Sequence, residues 1–288
     1  MKEKNKSEEK IDDFMKRRYM TQIFPWLIPI RQKQQKFFFY GKMRFDGNHY
    51  ASKQSKELLP YMLFESSCIM VNPHTGFDME YQKNKVFNLK LATKTLDKLF
   101  IRPGETFSFC ERIRYADRET KYKDGLVELN GALTTQYGGG LCQISNLLCW
   151  VFLHSPLTIL ERHGHRKKDF KEPESDAPLG VDATIYEGWL DFKVQNNTEM
   201  TYQISIAFDD THIIGRIYTE HNPGKMWKVV NKNLNYYQES GNTYEIVDVV
   251  QCVYDADSNE LISESLAYQN QCQIGYPLPD GTNIRKKG

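Results

Sequence analysis

The chain has 288 residues, long enough for one large domain or two smaller ones with separate cores. Lys and Arg number 38 against 37 Asp and Glu, a net charge of +1. No block of like charge lies outside the ends, so the electrostatic footprint of a nucleic-acid binder is missing and no nucleic-acid partner is expected. The six cysteines, at 68, 110, 142, 149, 252 and 272, form neither close pairs nor a dense scaffold, which fits a reducing compartment.

In chain order, residues 1–16 are highly charged and predict a disordered lead with no secretory apolar core behind it. Residues 17–60 form an aromatic N-terminal segment. Its one apolar run, Ile23 to Ile30, is far short of the roughly 20 residues that cross a bilayer. Flanked by Arg17, Arg18 and RQKQQK, and followed by FFFY, the stretch 23–40 offers a peripheral membrane contact or a docking segment. Pro25 and Pro29 are expected to spoil a continuous amphipathic helix there and to favour docking on the protein's own body. The resulting expectation is a cytoplasmic protein, or one peripheral at the inner membrane face, with an extracytoplasmic location left open.

An α+β core domain is expected over 61–220. VFNLKLATKTLDKLF reads as a helix with Asn88 as its N-cap, ended by Pro103 and Gly104. GETFSF alternates briefly before a polar loop through Lys123. YGGGLCQIS then sets Gly138, Gly139 and Gly140 in front of Cys142, and a glycine triplet implies positive φ values or close backbone approach. Behind it, Leu141, Ile144, Leu148, Val151 and Phe152 gather on one stripe of a helix, with Cys142 in the first turn. Unpaired amides and the helix dipole favour an anion there, so the thiol is expected to ionise easily and to act as a nucleophile. Cys149, two turns further on, lacks that terminus and is read as packing.

From Leu157 onward the pattern is mostly antiparallel strand: LTILERHGH, VDATIYE, LDFKVQ, TYQISIAF and IIGRIYTE. Residues 221–288 read as a small β module, a meander turning at Glu239-Ser-Gly-Asn and at Asp255-Ala-Asp-Ser-Asn.

A cysteine nucleophile needs a base and a group that orients the base. His163 and His165 would share one face of a strand, and the spacing leaves open which of them pairs with Cys142. Asp182 and Thr184 point away from the apolar face made by Val181, Ala183 and Ile185. Gly139 or Gly140 would supply amides for an oxyanion, and Gly138, Gln143, Arg162 and His163 complete the residues expected to meet a substrate. Metal ligation by Cys142, Cys149, His163 and His165 departs from the usual zinc spacing, so neither metal nor cofactor is expected. The alternative to an enzyme is a binding module whose cysteine and histidines are structural.

PGETFSF, YGGGLCQIS, ERHGH, GVDATI with LDFKVQNNT, and IGYPLP together resemble the VanW family, which includes accessory proteins of B-type vancomycin resistance. The likeness runs nearly end to end, and residues 86–206 are similar to the VanW domain of larger cell-wall proteins. Family members have been linked to cysteine-dependent cross-linking of peptidoglycan stems, an L,D-transpeptidase type of reaction. The resemblance therefore implies a stem peptide or precursor as partner, Cys142 as the cysteine of Gly-Gly-Gly-x-Cys, and His165 as the histidine of Glu-Arg-x-x-His.

Overall fold

The computed structural model describes residues 24–129, 132–171 and 175–286; the lead expected over 1–16 lies outside the described residues. The chain divides into two compact units, Met1–Gly47 and Asn48–Gly288. In the first, a 3-10 turn at Pro25–Leu27 leads into helix α1, Ile28–Met43. Pro29 occupies the first turn, where a missing N–H breaks no intrahelical bond. The prolines therefore open this helix, and the expectation that they would interrupt it is corrected. Trp26, Phe37 and Phe38 are 67, 74 and 62% exposed. Among the described residues, no helix is long and apolar enough to cross a membrane.

The second unit runs β1 (His49–Tyr50), β2 (Tyr61–Ile69), α2 (Met79–Leu96), β3 (Phe100–Ile101), β4 (Glu105–Ser108) and α3 (Phe109–Ile113). Strands β5 (Asp124–Leu129) and β6 (Ala132–Tyr137) come next, followed by α4 (Cys142–Phe152), β7 (Thr158–Glu161), β8 (Lys167–Lys168) and β9 (Lys193–Gln195). The chain ends with β10 (Tyr202–Phe208), β11 (His212–Thr219), β12 (Lys225–Glu239), β13 (Asn242–Asp255), β14 (Leu261–Ile274) and β15 (Ile284–Lys286). The sheets are ordered β1-β4-β9-β7, β2-β11-β10-β3 and β15-β12-β13-β14-β8, with β5-β6 as a separate hairpin. Most pairings are antiparallel; β1–β4, β12–β15 and β14–β8 are parallel. The fold is α+β with mostly antiparallel sheet, as the sequence predicts.

Helix α2 starts earlier than its periodicity indicates, because Asp78 caps it by accepting from the Glu80 amide at 2.8 Å. Asn88 is thus no cap but a buried mid-helix residue, and its side chain reaches across to other segments. The helix ends at Leu96, before Pro103 and Gly104, where Asp97 turns extended and Lys98 takes a positive φ of 58°. Two segments read as strand are not strand. ERHGH leaves the sheet after Glu161, and 181–185 forms no ladder because its amides bind elsewhere: Ala183 N–H donates to Asn146 Oδ1 and Thr184 N–H to the His163 carbonyl.

The core gathers around α4. Leu141, Ile144, Leu148, Val151 and Phe152 are buried as their stripe predicts, and Leu147, Cys149 and Trp150 are buried too. Helix α4 crosses the β2–β11 face over Gly215, where an added Cβ would lie 2.9 Å from Leu147 Cγ and 3.2 Å from Val151 Cγ2. Only a residue without a side chain admits this approach. Gly215→Val should therefore lower stability by about 1–3 kcal/mol through overpacking, read as a drop in the urea midpoint at constant m-value.

Candidate active site

Three glycines precede Cys142 because the backbone there must do two unusual things. Gly138 and Gly140 have φ of +73° and +94°, a region that side-chain-bearing residues rarely adopt. Gly139 lies flat against the β5 backbone: a Cβ on it would stand 2.2 Å from the Gly125 carbonyl oxygen. Asn88 fixes this contact from the side, its Nδ2 donating to the Gly139 carbonyl at 3.0 Å and to the Lys123 carbonyl at 2.8 Å, while its Oδ1 accepts from the Lys123 amide. The turn is pinned, and α4 begins where it ends. Cys142, Gln143 and Asn146 are the only half-buried residues of α4, and they form a polar strip on a helix otherwise inside the core. That strip borders a cleft of about 600 Å³ walled also by Leu126, Val127, Leu133 and Trp150.

The partner groups come from two loops that run antiparallel. The Thr184 amide donates to the His163 carbonyl at 2.7 Å, so two residues onward in one loop and two back in the other bring His165 opposite Asp182. Asp182 then holds His165 twice: Oδ2 accepts from the His165 amide and Oδ1 from ring Nδ1, each at 2.6 Å. With Nδ1 committed, Nε2 is the ring nitrogen left for the sulfur, and the His165 charge acts on Cys142. Thr184 Oγ1 lies 3.5 Å from Sγ and the Ile185 carbonyl 3.8 Å away.

The ionisation follows from this geometry. Asp182 is 2% exposed; burial alone would raise its pKa, but the His165 charge and hydrogen bonds hold it well below the usual carboxylate range. Burial opposes charge on His165 as well, and Asp182 overcomes it, so the imidazole pKa is raised well above 6.5. Burial pushes the Cys142 thiol up, and the hydrogen bond and positive charge of His165 bring it below 9.0. Both shifts run toward a thiolate–imidazolium pair, with Asp182 as its anchor. Cys149 is the contrast within the same helix. It is fully buried, its Sγ is 3.7 Å from the Tyr268 hydroxyl, and burial pushes its pKa up to about 11.

The other residues singled out by sequence fall around this centre. His163 turns away from the sulfur to Glu161, at 3.1 Å, so two histidines read as sharing a face do not. With Cys149 against Tyr268, the four candidate metal ligands are not brought together. Arg162 Nε donates to the Asp182 carbonyl at 2.5 Å, and its NH2 group bonds Asn270 Oδ1. Its guanidinium also lies 3.9 Å from the centroid of the Tyr268 ring. Gln143 lines the cleft and donates to the Ile69 carbonyl at 2.7 Å. The Gly138 and Gly139 amides donate to the carbonyls of Lys123 and Gln136, which removes Gly139 from the oxyanion role expected of it. Among the described residues, the Gly140 and Cys142 amides have no protein acceptor, as befits a helix N-terminus. Thr184, Asn146, Asn88, Tyr268 and Asn270 were not among the candidates. Only Thr184 left a local trace, in its alternation with Asp182.

Alkylation of Cys142 by iodoacetamide should show a pH midpoint below that of a free thiol, and Cys149 should stay unmodified in the folded protein. Asp182→Asn removes the charge that keeps His165 protonated. It should lower the imidazole pKa and shift the Cys142 midpoint upward, as followed by thiolate absorbance near 240 nm.

Residues 84–218 match the family described as VanW like protein. The chain is 53% identical over 272 residues to the vancomycin B-type resistance protein VanW of Enterococcus faecalis (strain ATCC 700802 / V583), covering 94% of this chain and 99% of that protein. It is 28% identical over 184 residues to the uncharacterized protein YoaR of Bacillus subtilis (strain 168), covering 60% of this chain and 58% of that one. No solved structure matches the chain. The extent of the first relationship and the family match within the site-bearing unit lead to one conclusion: the chain belongs to the VanW family.

Proposed function

We propose that this protein is a cysteine-dependent acyl transferase of the L,D-transpeptidase type, acting on peptidoglycan stem peptides or their precursors as an accessory to glycopeptide resistance. The biological setting is taken from its E. faecalis relative, named for vancomycin resistance. The chemistry rests on one observation: a half-buried cysteine at a helix N-terminus whose pKa is lowered by a histidine that a buried aspartate holds at two atoms.

In this reading the Cys142 thiolate attacks the carbonyl carbon of a peptide bond, forming a C–S bond and an oxyanion that the Gly140 and Cys142 amides meet. His165, as imidazolium, gives its proton to the leaving amine as the C–N bond breaks, leaving a thioester and a neutral ring. An acceptor amine then attacks the thioester, His165 takes a proton from it, and the C–S bond breaks to restore the thiolate. Asp182 keeps the ring in the tautomer and orientation both steps need. Arg162 acts through Asp182 and positions it.

Incubation with muropeptides should leave an acyl adduct on Cys142, detected by mass spectrometry. Cys142→Ala should abolish it and Cys149→Ala should retain it. Equal labelling of both variants, or a folded Cys142→Ser protein that still confers full resistance in cells, would replace the enzyme with a module that holds precursors or another resistance protein.

We propose in addition that residues 24–45 rest on an anionic lipid surface, where lipid-linked precursors are met. Exposed Trp26, Phe37 and Phe38 accompany Arg31, Lys33, Lys36, Lys42 and Arg44, with no acidic residue between 24 and 45. The protein should co-sediment with phosphatidylglycerol vesicles and lose this on replacement of all three aromatics by serine; sedimentation unchanged by that replacement excludes the contact.

A further inference from the structure

The walls of the cleft carry an uneven charge. Lys85, Arg162, Arg166, Lys167 and Lys168 all line it, and Asp169 is the one acidic side chain lining it among the described residues. Cys142 and His165 do not redress the balance, because a thiol and an imidazole sharing one proton are together neutral, and Asp182 contributes a single negative charge. Apolar walls from Leu126, Val127 and Leu133 screen the charges of the cleft less than open water would.

The cations differ in what already holds them. Lys167 is paired with Asp169, Lys168 lies 3.9 Å from Glu245, and Arg162 is spent on Asp182 and Asn270. Arg166 is exposed, with no carboxylate in ion-pair range among the described residues. Its guanidinium stands 5.9 Å from the centroid of the Trp189 ring, itself 55% exposed, and both residues line the cleft. It follows His165 directly in the chain, so its backbone is fixed by the same clamp. A guanidinium steadied over an aromatic face presents its fork of N–H donors in the geometry that a carboxylate accepts bidentately.

We propose that the cleft selects an anionic peptide and that Arg166, beside Trp189, is the specificity residue for its free carboxylate. This rests on the reading of Cys142 as the nucleophile, and it names the charge class of what that nucleophile attacks.

The test compares two alkylating agents of similar size and different charge, iodoacetate and iodoacetamide, on the full-length protein, with N-acetylcysteine amide as the neutral reference thiol. At low salt the rate ratio of iodoacetate to iodoacetamide at Cys142 should exceed the reference ratio by about threefold or more, and the excess should shrink as salt is raised. Arg166→Gln should slow iodoacetate with iodoacetamide unchanged, and Arg166→Lys should restore part of the difference. A fast reaction showing no preference for the anion, or an Arg166→Gln protein slowed alike with both reagents, overturns this inference and leaves the nucleophile intact. Slow alkylation by both reagents at neutral pH strikes down the nucleophile, and the inference with it.

Discussion

Asp182 carries a charge where almost no water reaches it, and the structure around the site is organised to make that tolerable. A buried carboxylate without partners would take up a proton or destabilise the fold. Here both oxygens bond one residue, His165, through its backbone and its ring. The same contacts hold the imidazole pKa up, and the imidazole charge in turn draws the Cys142 pKa down against burial. The three pKa shifts are one electrostatic fact seen from three atoms, so a change at any of them is felt at the other two.

The support for this pair comes from far along the chain. Arg162 braces the Asp182 carbonyl, and it is held in turn by Tyr268 and Asn270 of β14. Strand β14 also pairs with β8, just beyond His165, and Gln251 of β13 donates to the carbonyls of Leu153 and Ser155 at the end of α4. The meander that reads as a separate module in sequence thus reaches the site at several points, and residues 48–288 form one compact unit. From the other side, Ser145 donates to the Ala183 carbonyl at 2.5 Å and Asn146 accepts from the Ala183 amide, tying the helix of Cys142 directly to the loop of the anchoring carboxylate.

The parts of this arrangement that were legible in sequence are those encoded locally. Helix α4 could be read from its apolar stripe because the 3.6-residue period is strong over its length. Asp182 and Thr184 could be assigned to the polar side because alternation records which way side chains face. Alternation does not record whether a neighbouring strand takes the backbone bonds, so a loop bonded to Asn146 and His163 was read as strand. Asn88 carries the residue type of a helix cap, yet its partners are 35 and 51 residues away. Nothing near Tyr268 or Asn270 announces a role at a site more than a hundred residues earlier.

Because α4 lies inside the core on every side but one narrow strip, the sulfur it carries has little freedom of its own. Any displacement of Cys142 would drag Leu147 and Val151 across Gly215 and open voids throughout the centre of the molecule. Any adjustment at the site must therefore be made by whatever enters the cleft and by the loops beside it. The sulfur is a fixed post to which anything that meets it has to be brought.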